Sequence, residues 1–177
     1  MLTKIILAGF GGQGVIASGK LLAVAAMKEG LNVTHFPAYG AEMRGGTCNC
    51  SVIISDKPIA SPVISTPDVL IVLNNPSLDK YKDKCATGAK LLINSSMSAG
   101  NVDRNDVEKY MIDAGKIAEE LGNPRGTNMI ILGAFAKITG LVKVETLANS
   151  ITDVFHNFKP AVVEVNVKSL QKGYDLF

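Results

Sequence analysis

Cysteine and histidine are scarce in this sequence of 177 residues, which contains three cysteines and two histidines. No two cysteines have C-x₂-C spacing, so the sequence indicates neither a disulfide framework nor a zinc site. Cys48 and Cys50 stand two residues apart in a predicted strand and therefore share one of its faces. We expect both to be small buried thiols, because Cys85 alone does not complete a set of metal ligands.

Charge is also sparse, since Asp, Glu, Lys and Arg make up 19% of the chain against about a quarter in a typical soluble protein. The net charge is +2 and the basic residues are scattered, which argues against nucleic acid or an anionic membrane as a partner. No apolar run reaches the roughly 20 residues of a membrane span, and no secretory signal pattern is present, so we expect a cytoplasmic protein. A chain that is 47% hydrophobic has either a largely buried sheet or a surface that partner subunits cover.

Apolar segments alternate with glycine and proline breaks along the chain, which is typical of α/β proteins. The pattern predicts strands at 3–8, 32–36, 47–54, 69–73 and 90–93, and helices at 14–28, from Pro76, and at 117–121, 128–139, 144–155 and 161–170. The helix at 128–139 is apolar nearly all round and is expected to be buried, with Gly133 and Ala134 permitting close packing. We predict a single domain over residues 1–177: a Rossmann-like open, mostly parallel sheet with helices on both faces and a helical C-terminal third.

A glycine-rich turn joins the first predicted strand to the first predicted helix, with the sequence Gly9-Phe10-Gly11-Gly12-Gln13-Gly14. Such a turn lets a ligand or a neighbouring chain approach the backbone closely, and the helix that follows directs unpaired N–H groups towards it. A second glycine-rich segment, residues 39–48, follows the next strand. An open α/β sheet brings the two segments together, which makes the pair more specific than either alone.

The turn also matches the dinucleotide fingerprint G-x-G-x-x-G in its letters and in its position between a strand and a helix. However, the acid that binds ribose is missing, because residues 34–37 at the end of the second strand contain no carboxylate. An incomplete phosphate-binding loop also ends at Lys20, where Leu21 replaces the required Ser or Thr, and this lysine falls inside a predicted helix. We therefore favour a turn that binds no nicotinamide cofactor, and we interpret Lys20 as a solvated residue.

Candidate catalytic residues are few. His35 and His156 lie far apart in the sequence, neither belongs to a nucleophile motif, and each is interpreted as a surface or core histidine. Glu42 and Arg44 lie in the second glycine-rich segment, where they form either a local ion pair or a contact with an anionic ligand. We assign no catalytic residue and no metal ligand to this chain.

Three ordered motifs resemble the gamma subunit of the 2-oxoacid:ferredoxin oxidoreductases. They are residues 9–15, residues 39–47 with the sequence Tyr-Gly-Ala-Glu-Met-Arg-Gly-Gly-Thr, and residues 128–134 with the sequence Asn-Met-Ile-Ile-Leu-Gly-Ala, while residues 166–173 resemble the closing helix of that family. The resemblance covers essentially the whole chain. It implies candidate cofactor-binding or subunit-interface residues at Gly9, Gly11, Gly12, Gln13, Gly14, Tyr39, Glu42, Arg44, Gly45, Gly46 and Asn128.

The resemblance implies a subunit of a complex that decarboxylates a 2-oxoacid oxidatively, passes electrons to ferredoxin and forms an acyl-coenzyme A. Thiamine diphosphate, Mg²⁺ and the 4Fe-4S clusters belong to alpha, beta and possibly delta partners in that family. Three cysteines without C-x₂-C spacing do not supply a four-cysteine cluster, and no thiamine diphosphate motif is visible here. We therefore expect no cofactor on this chain, which packs on the catalytic subunits, helps to shape the coenzyme A site and is inactive when isolated.

The segment Glu42-Met43-Arg44 resembles the 2-oxoglutarate type more than the pyruvate type, which tends to carry a second arginine at position 43. A pyruvate or branched-chain 2-oxoacid complex is the alternative within the family. A free-standing nucleotide-binding or redox-regulatory domain is the alternative from another class.

Overall fold

A computed structural model describes residues 1–40, 46–99 and 102–177. Within these ranges it has six strands, six α-helices and a short 3₁₀ helix at Lys82–Lys84. The strands are β1 (Leu2–Phe10), β2 (Asn32–Tyr39), β3 (Thr47–Ser55), β4 (Val69–Val72), β5 (Lys90–Asn94) and β6 (Glu108–Ile112). The α-helices are α1 (Val15–Lys28), α2 (Asn75–Tyr81), α3 (Ala114–Glu120), α4 (Thr127–Thr139), α5 (Val144–Val154) and α6 (Pro160–Tyr174).

The six strands form one mixed sheet in the order β2-β3-β1-β4-β5-β6. Strands β1, β4, β5 and β6 pair in parallel, whereas β3 runs antiparallel to both of its neighbours, β1 and β2. Because β2 and β1 both oppose β3, five of the six strands point in the same direction. The prediction of an open, mostly parallel α/β sheet is confirmed, with the difference that β3 is inserted between β1 and β2.

Helices cover both faces of the sheet, as predicted. Alternate side chains of a strand point to opposite faces, so Ile5 and Leu7 of β1 join a large core cluster while Ile6 and Ala8 join a smaller one. The large cluster contains buried residues of α1, α3, α4, α5 and α6, and the smaller one contains Leu78 of α2. Most of the hydrophobic core therefore lies on the face that carries the C-terminal helices.

Helices α4 and α6 pack with almost no space between their backbones. A Cβ added at Gly133 of α4 would overlap the carbonyl oxygen of Leu170, and one added at Gly173 of α6 would overlap that of Ile130. Every residue of α4 from Asn128 to Ala136 is buried, as predicted for this apolar helix. Glycine on each helix is what allows their close contact.

Strand β6 was not predicted from the sequence. Its segment, Glu-Lys-Tyr-Met-Ile, is mostly exposed and ends in the single buried residue Ile112, so it lacks the apolar run that marks an inner strand. It lies at the edge of the sheet, where one side is open to solvent. Helix α3 also begins at Ala114, earlier than the predicted residue 117.

Among the described residues, no helix is both long and apolar enough to cross a membrane.

Candidate functional site

The glycine-rich turn after β1 lies where the connections of the sheet change direction. From β1 the chain passes through α1 to β2 on one side, whereas β4 pairs with the other side of β1 and continues through α2. Helices α1 and α2 pack on opposite faces. In open α/β sheets, ligands bind outside the carboxyl ends of the strands at such a switch point.

The side chain of Gln13 fixes the conformation of this turn. Its Oε1 accepts hydrogen bonds from the backbone N–H of Phe10 at 2.7 Å and from Asn74 Nδ2 at 2.8 Å, and its Nε2 donates to the Leu73 carbonyl at 3.3 Å. A Cβ at Gly9 would lie 2.8 Å from Gln13 Oε1, so glycine at that position makes room for the amide. Gln13 therefore ties the end of β1 to the end of β4.

Gly14 and Asn128 bring the turn against the N-terminal end of α4. Gly14 has φ 78° and would clash with the Asn128 amide if it carried a Cβ. Asn128 is 8% exposed and donates through Nδ2 to Ser18 Oγ at 3.1 Å. The structure thus gives Gly14 and Asn128 a packing role in joining α1 to α4.

The two glycine-rich segments meet, as predicted. The N–H of Gly11 donates to the carbonyl of Gly46 at 2.9 Å, and Phe10 pairs with Thr47 in the β1–β3 register. Tyr39 is the last residue of β2, which lies two strands away from β1 and ends on the same side of the sheet as the glycine-rich turn. Its surface is 65% exposed. Of the other predicted residues in this segment, Glu42, Arg44 and Gly45 lie outside the described residues.

Two cavities adjoin the turn and share Gly12. The first, the apolar groove, has a volume of about 610 Å³ and is walled by α4, α6 and the stacked rings of Phe155 and Phe158, whose centroids are 4.7 Å apart. It also contains the amides of Asn123 and Asn166, which are joined by a 3.1 Å hydrogen bond. Its apolar walls and few polar groups are typical of ligand-binding clefts.

The second cavity, the polar crevice, has a volume of about 460 Å³ and lies over the carboxyl ends of the parallel strands. Its lining differs from that of the apolar groove in being mostly polar or charged. These lining residues are Gly12, Gln13, Asn94, Ser96, Met97, Gly115, Lys116, Glu119, Pro124, Arg125 and Thr127. The two cavities share Gly12, Pro124 and Arg125, so the glycine-rich turn and Arg125 lie together at their junction.

Electrostatics favour an anion at this junction. Helix α1 begins at Val15 with its N-terminal end at the turn, and no described side chain caps it. Arg125 is exposed, and no described residue forms a salt bridge with it. Gly12 has φ 98° and no atom within 4 Å of its added Cβ, so its backbone faces open space.

The fold removes the ribose site of a dinucleotide-binding protein. In the classic arrangement the second parallel strand lies beside the first and carries the ribose-binding acid. Here the antiparallel strand β3 occupies that position, and β2 lies one strand further out. The interpretation of the fingerprint as something other than a complete nicotinamide site is therefore consistent with the topology.

The titratable side chains of the core are suited to packing. Burial raises the pKa of the Cys50 thiol to about 12 and that of the Cys85 thiol to about 11, and burial also raises the pKa of Cys48. Burial lowers the pKa of His35, whose Nε2 has no hydrogen-bond partner among the described residues. No group of three metal-ligating side chains occurs in the part of the chain that the structure describes.

Sequence reasoning did not single out Asn94, Lys116 or Arg125. Asn94 is the last residue of the buried strand β5, and Arg125 lies in the turn-forming segment Gly-Asn-Pro-Arg-Gly, so each occupies a type of position where binding residues occur. The sequence around Lys116 gives no such signal. This residue reaches its position because α3 directly follows strand β6, which was not predicted.

Comparison with known protein families gives a match over residues 4–176, to the family described as pyruvate ferredoxin/flavodoxin oxidoreductase. The subunit KorC of 2-oxoglutarate synthase from Methanocaldococcus jannaschii is 35% identical over 179 residues, which cover 99% of this chain and 94% of KorC. The subunit VorA of ketoisovalerate oxidoreductase from Methanothermobacter thermautotrophicus is 38% identical over 172 residues, covering 96% of this chain. This chain spans 35% of VorA, about a third of that relative's length.

Two solved structures share the fold over nearly the whole chain. The keto/oxoacid ferredoxin oxidoreductase gamma subunit from Geobacter sulfurreducens has a TM-score of 0.85 and 29% identity, covering 99% of this chain and 95% of that one. The 2-oxoglutarate:ferredoxin oxidoreductase from Magnetococcus marinus, solved with 2-oxoglutarate, coenzyme A and succinyl-CoA bound, has a TM-score of 0.89 and 28% identity. That alignment covers 99% of this chain and 31% of the larger one.

Proposed function

Because the chain belongs to the pyruvate ferredoxin/flavodoxin oxidoreductase family, we propose that it is the gamma subunit of a 2-oxoacid:ferredoxin oxidoreductase complex. The observation that carries this proposal is the similarity to subunits of such enzymes over nearly the whole of this chain. The alignments cover 94% of KorC and 95% of the Geobacter gamma subunit, as well as 99% of this chain in each case. Similarity of this extent to subunits named for such enzymes supports the same role for this chain.

The complex converts a 2-oxoacid and coenzyme A to an acyl-coenzyme A and CO₂ and passes two electrons to ferredoxin. We propose 2-oxoglutarate as its substrate, on the resemblance of Glu42-Met43-Arg44 to the 2-oxoglutarate type. A pyruvate or branched-chain complex is the alternative, since identity to the relative named for ketoisovalerate is 38% and to that named for 2-oxoglutarate 35%.

We place thiamine diphosphate, Mg²⁺ and the iron–sulfur clusters on the alpha, beta and possibly delta subunits. The three cysteines of this chain support that division, because all of them are buried and burial keeps them protonated. Iron–sulfur clusters are held by thiolates, whereas a buried thiol with a raised pKa behaves as a packing group. The isolated chain is therefore expected to be inactive and colourless.

The contribution of this chain is to present the glycine-rich turn to its partners and to coenzyme A. Gly12 offers backbone without a side chain, the N-terminal end of α1 carries partial positive charge, and Arg125 adds a guanidinium beside them. A coenzyme A phosphate fits this combination of charges. Gly11 and Gly46 hold the two glycine-rich segments together. We propose that Glu42, Arg44 and Gly45 of the second segment also take part in binding coenzyme A or a partner subunit.

Purification of the native protein from its own cells tests the proposal. A mild affinity purification of the tagged chain is expected to recover thiamine-dependent subunits in fixed proportion, with the brown colour of iron–sulfur clusters. The free-standing alternative predicts a colourless protein without such partners, and that result would refute the proposed function.

A further inference from the structure

Two hydrogen bonds between Gln13 and Phe10 close the turn after β1. The backbone N–H of Gln13 donates to the Phe10 carbonyl at 3.1 Å, and the Gln13 Oε1 accepts the Phe10 N–H at 2.7 Å. Gly12 is the third of the four residues of this turn and has φ 98°, the positive φ that a type II turn requires there. The second hydrogen bond depends on the direction of the Gln13 amide, because only its oxygen can accept the Phe10 N–H.

Asn74 sets the direction of the Gln13 amide. It lies between β4 and α2, is 1% exposed and caps α2, since its Oδ1 accepts the Ser77 N–H at 3.0 Å. Because the oxygen of the Asn74 amide is engaged in this cap, its Nδ2 faces the turn and donates to Gln13 Oε1 at 2.8 Å. Oriented amides thus connect the N-terminal end of α2 to the turn after β1.

The same neighbours exclude the opposite orientation of the Gln13 amide. In that orientation Nε2 would face the N–H groups of Asn74 and Phe10, which are donors themselves. In addition, Oε1 would face the carbonyl oxygen of Leu73. Asn74 itself lines neither the apolar groove nor the polar crevice, so any influence that it has on them passes through Gln13.

We propose that Asn74 is a positioning residue, which acts through Gln13 to hold the turn with the backbone of Gly12 facing the junction of the two cavities. Gly12 lines both cavities and has open space beside it, so its placement determines what the turn presents there. The effect of Asn74 on the shape of the turn is independent of the proposed function. Its effect on binding at the junction rests on that function and is tested separately.

The variant Asn74→Asp removes the donor and keeps the cap of α2. One carboxylate oxygen still accepts the Ser77 N–H, whereas the other faces Gln13 Oε1 without a hydrogen at neutral pH. Amide hydrogen exchange at Phe10, measured by NMR on the isolated chain, is expected to become about fivefold faster, as for the loss of one hydrogen bond. Exchange at Phe10 as slow as in the wild type would overturn the inference.

A double-variant cycle shows whether Asn74 acts through Gln13. In Gln13→Leu the acceptor is already absent, so the addition of Asn74→Asp is expected to speed exchange at Phe10 no further. Additive effects of the two substitutions would overturn the inference, because they would mean that Asn74 acts on the turn by another route.

Asn32→Asp is the matched control for the change of amide to carboxylate. Asn32 is exposed at the start of β2, at the opposite end of the sheet from the turn, and its substitution should leave exchange at Phe10 unchanged. An equal change in the two aspartate variants would contradict a local effect of Asn74. If Asn74→Asp does not fold by circular dichroism, Asn74→Ser takes its place, because serine also caps helices and its shorter side chain does not reach Gln13.

The reconstituted complex tests the effect on binding. With Asn74→Asp we expect an apparent KM for coenzyme A about fivefold higher and an unchanged kcat, because the turn contributes to binding and carries no catalytic residue. A variant that was merely destabilised would lower the amount of active complex, and so the apparent kcat, without raising the KM. A wild-type KM in Asn74→Asp would overturn the inference. Failure of the wild-type chain to join thiamine-dependent subunits would instead refute the proposed function, and hydrogen exchange would then decide the inference.

Discussion

Glycine is required for different physical reasons at two places in this protein. At the α4–α6 contact, Gly133 and Gly173 have no space for a Cβ because the backbone of the other helix occupies it. At the turn after β1, Gly12 has open space around it but a φ of 98°, which L side chains rarely adopt. Gly133 and Gly173 allow the two helices to pack closely, whereas Gly12 leaves backbone accessible to a partner or ligand.

The largest effect is expected from filling the α4–α6 contact. Gly133→Val places a branched side chain against the Leu170 carbonyl and should destabilise the fold by about 3 kcal/mol or more, measured by urea denaturation. Gly140→Ala at the C-terminal end of α4 is the control, because its φ is 62° with open space, and it should cost only about 1 kcal/mol. A Gly133→Val protein with the wild-type unfolding midpoint would show that the two helices do not pack as described.

A smaller loss is expected when the support of the turn is removed. Gln13→Leu deprives the Phe10 N–H and the Asn74 amide of their acceptor, which should reduce the free energy of unfolding by about 1–3 kcal/mol. Gln171→Leu removes an exposed glutamine that donates to Asp175 and should change stability by less than about 0.5 kcal/mol. Equal unfolding midpoints for the two variants would mean that Gln13 does not hold β1 to β4.

Gly12 is the glycine at which a substitution is expected to impair function. Gly12→Ala and Gly30→Ala both introduce a side chain at positive φ in open space, at 98° and 80°, so each should cost about 1–2 kcal/mol. Gly30 lies beyond the other end of α1 and lines neither cavity. Only the Gly12 variants, and Gly12→Val more than Gly12→Ala, should weaken retention of partner subunits or raise the apparent KM for coenzyme A. The same retention and KM for the Gly12 and Gly30 variants would identify the turn as ordinary scaffold.

The smallest predicted effect is a loss of folding stability at acidic pH. Burial lowers the folded-state pKa of His35 below 6.5, so the unfolded chain binds a proton more readily than the folded one, and stability should decline as the pH falls below about 6.5. The ring of His35 packs beside Gly19 of α1. His35→Gln should flatten this part of the pH dependence, measured by denaturation from pH 7 to 5, while His156→Gln at an exposed position should leave it unchanged. An unaltered slope in His35→Gln would contradict the assignment.

The sequence predicted the elements that have strong local signals. Strands β1, β3, β4 and β5 and helices α1 and α4 were placed to within a few residues, because apolar runs and bounding glycines or prolines mark them. The meeting of the two glycine-rich segments was also predicted and is confirmed by the Gly11–Gly46 hydrogen bond. These features follow from short stretches of sequence.

Features that depend on distant partners escaped prediction. The insertion of β3 between β1 and β2 is a matter of strand pairing, and the exposed edge strand β6 has no apolar signature. The polar crevice combines residues near positions 12, 94, 116 and 125, which only the folded chain brings together. Gln13 is predicted as a cofactor-binding or subunit-interface residue, and the sequence gives no sign of the hydrogen bonds that its side chain forms with Phe10, Leu73 and Asn74.

The most direct test of the central claim is reconstitution of 2-oxoacid-dependent and coenzyme A-dependent ferredoxin reduction from purified subunits, with and without this chain. We predict that the chain alone reduces neither ferredoxin nor a viologen dye, and that the partner subunits reach full activity only when it is added in stoichiometric amount. Reduction by the isolated chain, or full activity of the partners in its absence, would contradict its assignment as the gamma subunit.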